Sequence, residues 1–187
     1  MRQLIHPLVS ILRERGIDPS SFCWVDPESI PEPYRRLLAH DSDMTSTLAN
    51  FHDSEIGLEV LAEESDSTEY CREVILLSKR DEKPVEYGAI QIWLEAFPAK
   101  AREAITEGKQ PLGGILNQMD RPYLSSPHGY FSIAAPEICH KRFECPKGAT
   151  LYGRYNTLSS EDGHELASII EILSLEDGRI ENERESL

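Results

Sequence analysis

Two charged residues stand inside the most apolar stretches of the chain. Arg72 lies in Tyr70-Cys71-Arg72-Glu73-Val74-Ile75-Leu76-Leu77, and Glu171 in Ala167-Ser168-Ile169-Ile170-Glu171-Ile172-Leu173. Read as strands, these stretches put alternate side chains on opposite faces. Arg72 then shares a face with Tyr70, Val74 and Leu76, and Glu171 shares one with Ala167, Ile169 and Leu173. A charge taken out of water costs several kcal/mol unless it is paired. Each position must therefore hold either a structural ion pair or a ligand. A guanidinium presents a planar fork that matches a carboxylate. A buried carboxyl group has its pKa raised, so it can donate a hydrogen bond or act as an acid.

Other reactive side chains carry weaker patterns. Cys139, His140 and Cys145 are soft metal-ligand types, but no fourth ligand accompanies them and their spacing is not that of a zinc knuckle. They read as a loop with buried thiols, and no metal is expected. Cys71 points away from Arg72 on a strand and is a poor nucleophile candidate. Nucleophile elbows, glycine-rich phosphate loops and dinucleotide fingerprints are absent. Asp43-Met44-Thr45 and Pro111-Leu112-Gly113-Gly114 fall at expected helix starts, where free backbone N–H groups either are capped or hold a polar ligand atom.

The elements that must position these groups follow from periodicity. Leu4, Leu8, Ile11 and Leu12 suggest an opening helix ending at Gly16. A proline-rich segment precedes one or two helical turns from Tyr34 to His40. Asp41 or Asp43 caps the next helix, with Met44, Leu48 and Phe51 on one face. Strands are expected from Ile56 to Ala62, around Arg72, and from Val85 to Leu94, the last two joined as a hairpin by a polar turn. Helices follow at Phe97-Pro98 through Ile105 and from Pro111, whose successor glycines suit a close backbone approach. Met119 to Gly148 reads as irregular. Leu151–Leu158 and Glu165–Leu173 form a second hairpin turning near Glu161-Asp162-Gly163. This order gives an α+β fold, an antiparallel β-sheet with flanking helices.

Composition narrows the partners. The 187 residues suit a single domain, and 40% hydrophobic with 28% charged content is that of an ordinary globular protein. A net charge of −14 argues against nucleic acid and against anionic membrane surfaces. It also means that an anionic ligand needs a local cation. Without a long apolar run or a secretory signal, and with four sparse cysteines, a cytoplasmic location is expected.

From about Leu37 to Leu173 the order of elements resembles the chorismate lyase (chorismate–pyruvate lyase) family. Four segments carry the resemblance. They are Leu37-Leu38-Ala39-His40-Asp41-Ser42-Asp43-Met44-Thr45, Arg72-Glu73-Val74-Ile75-Leu76-Leu77, Pro111-Leu112-Gly113, and Leu151-Tyr152-Gly153-Arg154 with the strand bearing Glu171.

The resemblance implies a single domain over 1–175, with 176–187 as a charged tail, and an internal ligand pocket under helical flaps. It implies a cofactor-free elimination of pyruvate from chorismate that leaves 4-hydroxybenzoate. In that picture Arg72 and Glu171 are catalytic. Arg72 takes the ring carboxylate, Glu171 takes the hydroxyl end, and Met44 and Leu112 line the pocket as substrate-binding residues. Such an elimination needs mainly positioning and exclusion of water. The alternative is a non-catalytic domain of the same fold that binds a small aromatic acid, as in some transcription regulators. The lyase is the favoured expectation, because such regulators carry a DNA-binding helix-turn-helix ahead of the domain and no basic one is expected before the pattern here. Either way the partner is a small molecule. Arg72 and Glu171 should then face one cavity, a ring's width apart, and direct contact between them would favour a plain core salt bridge.

Overall fold

The computed structural model describes residues 8–119 and 122–174. Seven strands form one antiparallel sheet in the order β1-β5-β6-β7-β4-β3-β2. They are β1 (Cys23–Val25), β2 (Ile56–Ser65), β3 (Glu69–Ser78), β4 (Pro84–Trp93), β5 (Tyr123–Ala134), β6 (Thr150–Ser160) and β7 (Glu165–Leu173). The central strands β3, β4 and β7 are buried along nearly their whole length. That explains why their sequences read as continuous β-branched and apolar runs rather than clean alternation.

Helices cover both faces. On one face α1 (Leu8–Glu14) brings Leu8 and Leu12 onto Ile75, Tyr87, Phe131, Ile170 and Ile172. Phe22 stacks on Phe131 with ring centroids 4.0 Å apart. On the other face α2 (Tyr34–Leu38) and α3 (Met44–His52) cover Val74 and Leu76, while α4 (Ala99–Thr106) and α5 (Leu112–Gln118) cover Ile90, Ile92 and Ile169. These last two apolar groups remain separate clusters, and a polar seam lies between them.

The helix starts follow the capping logic. The Asp43 carboxylate accepts the Ser46 backbone N–H at 2.7 Å, so Asp43 rather than Asp41 caps α3. Gly113 supplies the close approach foreseen for the glycine pair: a Cβ there would stand 2.7 Å from Thr45 Oγ1 and 2.9 Å from Asp43 Oδ1. Gly114 faces open space and has no such role.

The expectation of an irregular stretch from Met119 to Gly148 is overturned. Most of it is β5, a twelve-residue strand, followed by α6 (Glu137–Arg142). Pro127 and Gly129 flank a register shift, which accommodates the proline inside a strand paired to β6. A further short strand, β1, falls in the proline-rich segment and pairs with β5. Leu4 and the tail from 176 onward lie outside the described residues.

Candidate functional site

The seam between the two apolar clusters is a cavity of about 60 Å³. Its floor is the sheet, and strand register sets the rows. One cross-strand row is Leu76–Glu86, the next Val74–Gly88–Glu171–Arg154, and the next Arg72–Ile90–Ile169–Asn156. Directly opposed residues share a face. The cavity walls therefore carry Arg72 from β3, Glu86 from β4 and Glu171 from β7. Gly88 leaves the floor low, since a Cβ there would lie 3.0 Å from Val74 Cγ2. The roof is formed by the first turns of α3 and α5, with Asp43, Met44, Thr45, Leu112 and Gly113 on the lining. Asn117 of α5 ties the two turns together, donating to Ser46 Oγ at 3.2 Å.

Arg72 and Glu171 both reach this cavity without contacting each other. One strand, β4, separates theirs, which puts about 10 Å between them across the sheet. Their environments differ sharply. Arg72 is 2% exposed. Its guanidinium donates to the backbone carbonyls of Ile105 (3.4 Å) and Gln110 (3.2 Å) and lies 5.8 Å from the Tyr70 ring centre. Its Nε has no partner, and among the described residues no carboxylate lies within ion-pair distance. Burial pulls its pKa below the usual arginine value, with Tyr70 and Glu63 acting weakly the other way. Arginine remains cationic even so.

Glu171 is ion-paired to Arg154 through Nε and Oε2. Arg154, wholly buried, also donates through Nη1 to the carbonyls of Leu38 and His40, each at 3.1 Å. The expected alternatives thus divide between the two residues: Glu171 belongs to a core salt bridge, and Arg72 does not.

Glu86 escaped the sequence reading. It is 3% exposed, and its pKa is raised well above the carboxylate range by burial and then by the neighbouring Glu171, against a smaller pull from Arg154. Both causes favour the protonated, uncharged carboxyl. The available signal was an acidic residue inside the expected strand from Val85 to Leu94, two positions before Gly88 and so on its face. His40, beside Arg154, has its pKa lowered by burial and by that guanidinium.

Other candidates resolve plainly. Met44 and Leu112 are on the cavity lining. Cys139 and Cys145 are buried thiols whose pKa burial raises, and His140 uses Nδ1 on the Cys145 carbonyl. Among the described residues no group of three or more His, Cys, Asp or Glu is placed to hold a metal ion. Cys71 is pushed up to about 11 by burial, which makes it a poor nucleophile.

Solved structures share this architecture. PhnF from Mycobacterium smegmatis is similar with a TM-score of 0.52 and 8% identity, covering 71% of this chain and 64% of that one. The effector domain of the same PhnF gives a TM-score of 0.52 at 8% identity, covering 71% of this chain and 88% of that domain. A gene product of Staphylococcus aureus subsp. aureus N315 gives 0.50 at 11% identity, over 63% and 83%. No family model matches the chain, and no curated protein does. Likeness at such identities concerns the fold: an α+β domain of the chorismate lyase-like type, in which fold and function are separate matters. Among the described residues no helix is long and apolar enough to cross a membrane.

Proposed function

We propose that this chain is a small-molecule binding domain whose cavity takes a compact carboxylic acid, with Arg72 as the carboxylate anchor. The observation that carries the reading is the burial of Arg72 on a cavity wall with its Nε unpartnered and no carboxylate in ion-pair contact among the described residues. Leaving a buried guanidinium without a counter-charge costs several kcal/mol, and a ligand carboxylate offsets that cost. A structure is not expected to keep such a cost without a use. The likeness to an effector domain supports binding rather than turnover. Met44 and Leu112 at the roof complete the enclosure.

A second reading keeps the lyase chemistry. Its support is that Arg72 and Glu171 stand on one cavity without touching, as the two ends of an aromatic acid require. Against it, Glu171 already has Arg154 as its partner, which leaves it a weaker acid–base candidate. One experiment separates the two. The protein is titrated calorimetrically with 4-hydroxybenzoate, then incubated with chorismate while 4-hydroxybenzoate and pyruvate are followed by chromatography. Saturable binding that Arg72→Met reduces at least about a hundredfold, the loss of a charge-assisted bidentate contact, is the expected result. Turnover of chorismate above its uncatalysed rate would establish the lyase. Unchanged affinity in Arg72→Met would remove Arg72 from the site.

A further inference from the structure

The far end of the cavity holds more carboxyl groups than cations. Glu86 and Glu171 approach from adjacent strands on the same face, and Arg154 is the cation beside them. Arg154 is committed to Glu171, Leu38 and His40. Glu86 makes no ion pair among the described residues, and its Oε2 is buried with no partner. Its side chain leans over the glycine floor, with Oε1 3.4 Å from where a Cβ of residue 88 would be. The charged groups around it are Glu171 from β7, Arg154 from β6, Arg72 across the cavity on β3 and Asp43 at the roof. Asp43 is occupied in capping α3. The formal charges of Arg72 and Arg154 balance those of Glu171 and Asp43, so a ligand carboxylate is met locally by Arg72 rather than by a net positive field.

We infer that Glu86 is the specificity-determining residue of this cavity: its buried carboxyl, with an unpartnered oxygen on the lining, hydrogen-bonds an uncharged oxygen of the ligand. The ligand class is then a monocarboxylic acid bearing a hydroxyl or carbonyl oxygen about a ring's width from its carboxylate. A second carboxylate at that end meets Glu86 and Glu171 and is refused. This deepens the binding reading and rests on Arg72 taking the acid group. A protonated carboxyl has one O–H to give, and burying it unused costs about 1–3 kcal/mol. The Glu171 oxygens cannot serve equally, because Arg154 already draws on them.

The test compares benzoate, 4-hydroxybenzoate and benzene-1,4-dicarboxylate, measured calorimetrically on the full chain and on two variants. The wild-type protein should favour 4-hydroxybenzoate over benzoate by about tenfold, the worth of one buried hydrogen bond, and should bind the dicarboxylate least. Glu86→Gln keeps a donor and should keep the preference. Glu86→Leu should bind both monoacids through Arg72 with the preference gone. An unchanged ratio in Glu86→Leu overturns the assignment of Glu86 while leaving the Arg72 anchor standing. Failure of any monoacid to bind the wild type overturns both. Isotope-edited infrared spectroscopy gives a ligand-free check, independent of how the leucine variant folds. A protonated-carboxyl band at neutral pH should vanish in Glu86→Gln, and its absence from the wild type would end the proposal.

Discussion

The two ends of the cavity solve the burial of charge in opposite ways. At one end Arg154, Glu171 and Glu86 form a crowded group in which a cation and a carboxylate are paired and burial beside Glu171 drives the pKa of the spare carboxyl up. At the other, Arg72 has two backbone carbonyls, the Tyr70 ring and, opposite it on β2, Glu63 outside ion-pair contact. The first end holds a direct ion pair between buried side chains; the second holds a cation with no carboxylate in ion-pair contact among the described residues. Strand β3 repeats the contrast over a single peptide bond. Glu73, next to Arg72, points to the opposite face, where Arg15 and the Tyr87 hydroxyl occupy both of its oxygens. Burial alone therefore does not mark a functional charge. Burial without an ion-pair partner, on a cavity wall, is what singles out Arg72 as the proposed anchor.

Removing the cation from the crowded end should have the largest effect. Arg154→Met leaves Glu171 buried beside Glu86 with no counter-charge, and should cost about 3–5 kcal/mol in denaturant unfolding. A loss below about 1 kcal/mol would mean that the pair is not the brace the contrast requires.

The spare carboxyl gives the next effect, read as a pH dependence. The folded-state pKa of Glu86 is raised, so the native chain binds more protons than the unfolded one above the ordinary carboxylate range. Its contribution to stability is fully present below the unfolded pKa and is lost as pH rises toward the folded pKa, by up to about 1.4 kcal/mol per pH unit. Glu86→Gln removes that loss. Wild-type and variant stabilities should therefore diverge with rising pH in the variant's favour. Parallel curves would mean that Glu86 is solvated or paired.

Arg72→Met should change least in stability, within about 1 kcal/mol or slightly favourable, because an apolar side chain replaces an unpaired buried charge. The same variant should lose acid binding. A large destabilisation with binding retained would reverse the contrast and make Arg72 the structural residue.

Legibility followed the strength of local pattern. The strands bearing Arg72 and Glu171, the capping by Asp43 and the close approach at Gly113 could be read because each rests on residues near one another in sequence. β5 was hidden by Ser125, Ser126, Pro127 and Gly129, which normally punctuate loops. Pairing with β6 and the bulge beside Pro127 overrode those preferences. Glu86 was hidden because neither its burial nor its nearness to Glu171 is a local property.

The sequence by itself determined that two charges had to be buried in an antiparallel sheet, since apolar runs around Arg72 and Glu171 admit no exposed placement for either. It also determined that any anionic ligand of so acidic a chain must meet a local cation. Only the tertiary structure decided which buried charge found a partner. Strand register placed Arg154 directly opposite Glu171, where the two pair, whereas Arg72 faces Ile90 on β4 and Glu63 on β2, whose carboxylate takes the Tyr70 hydroxyl and makes no ion pair with the guanidinium. Pairing across strands depends on which segments become neighbours, and the free energy of a buried charge depends on everything within a few ångströms of it. A single strand's pattern contains neither.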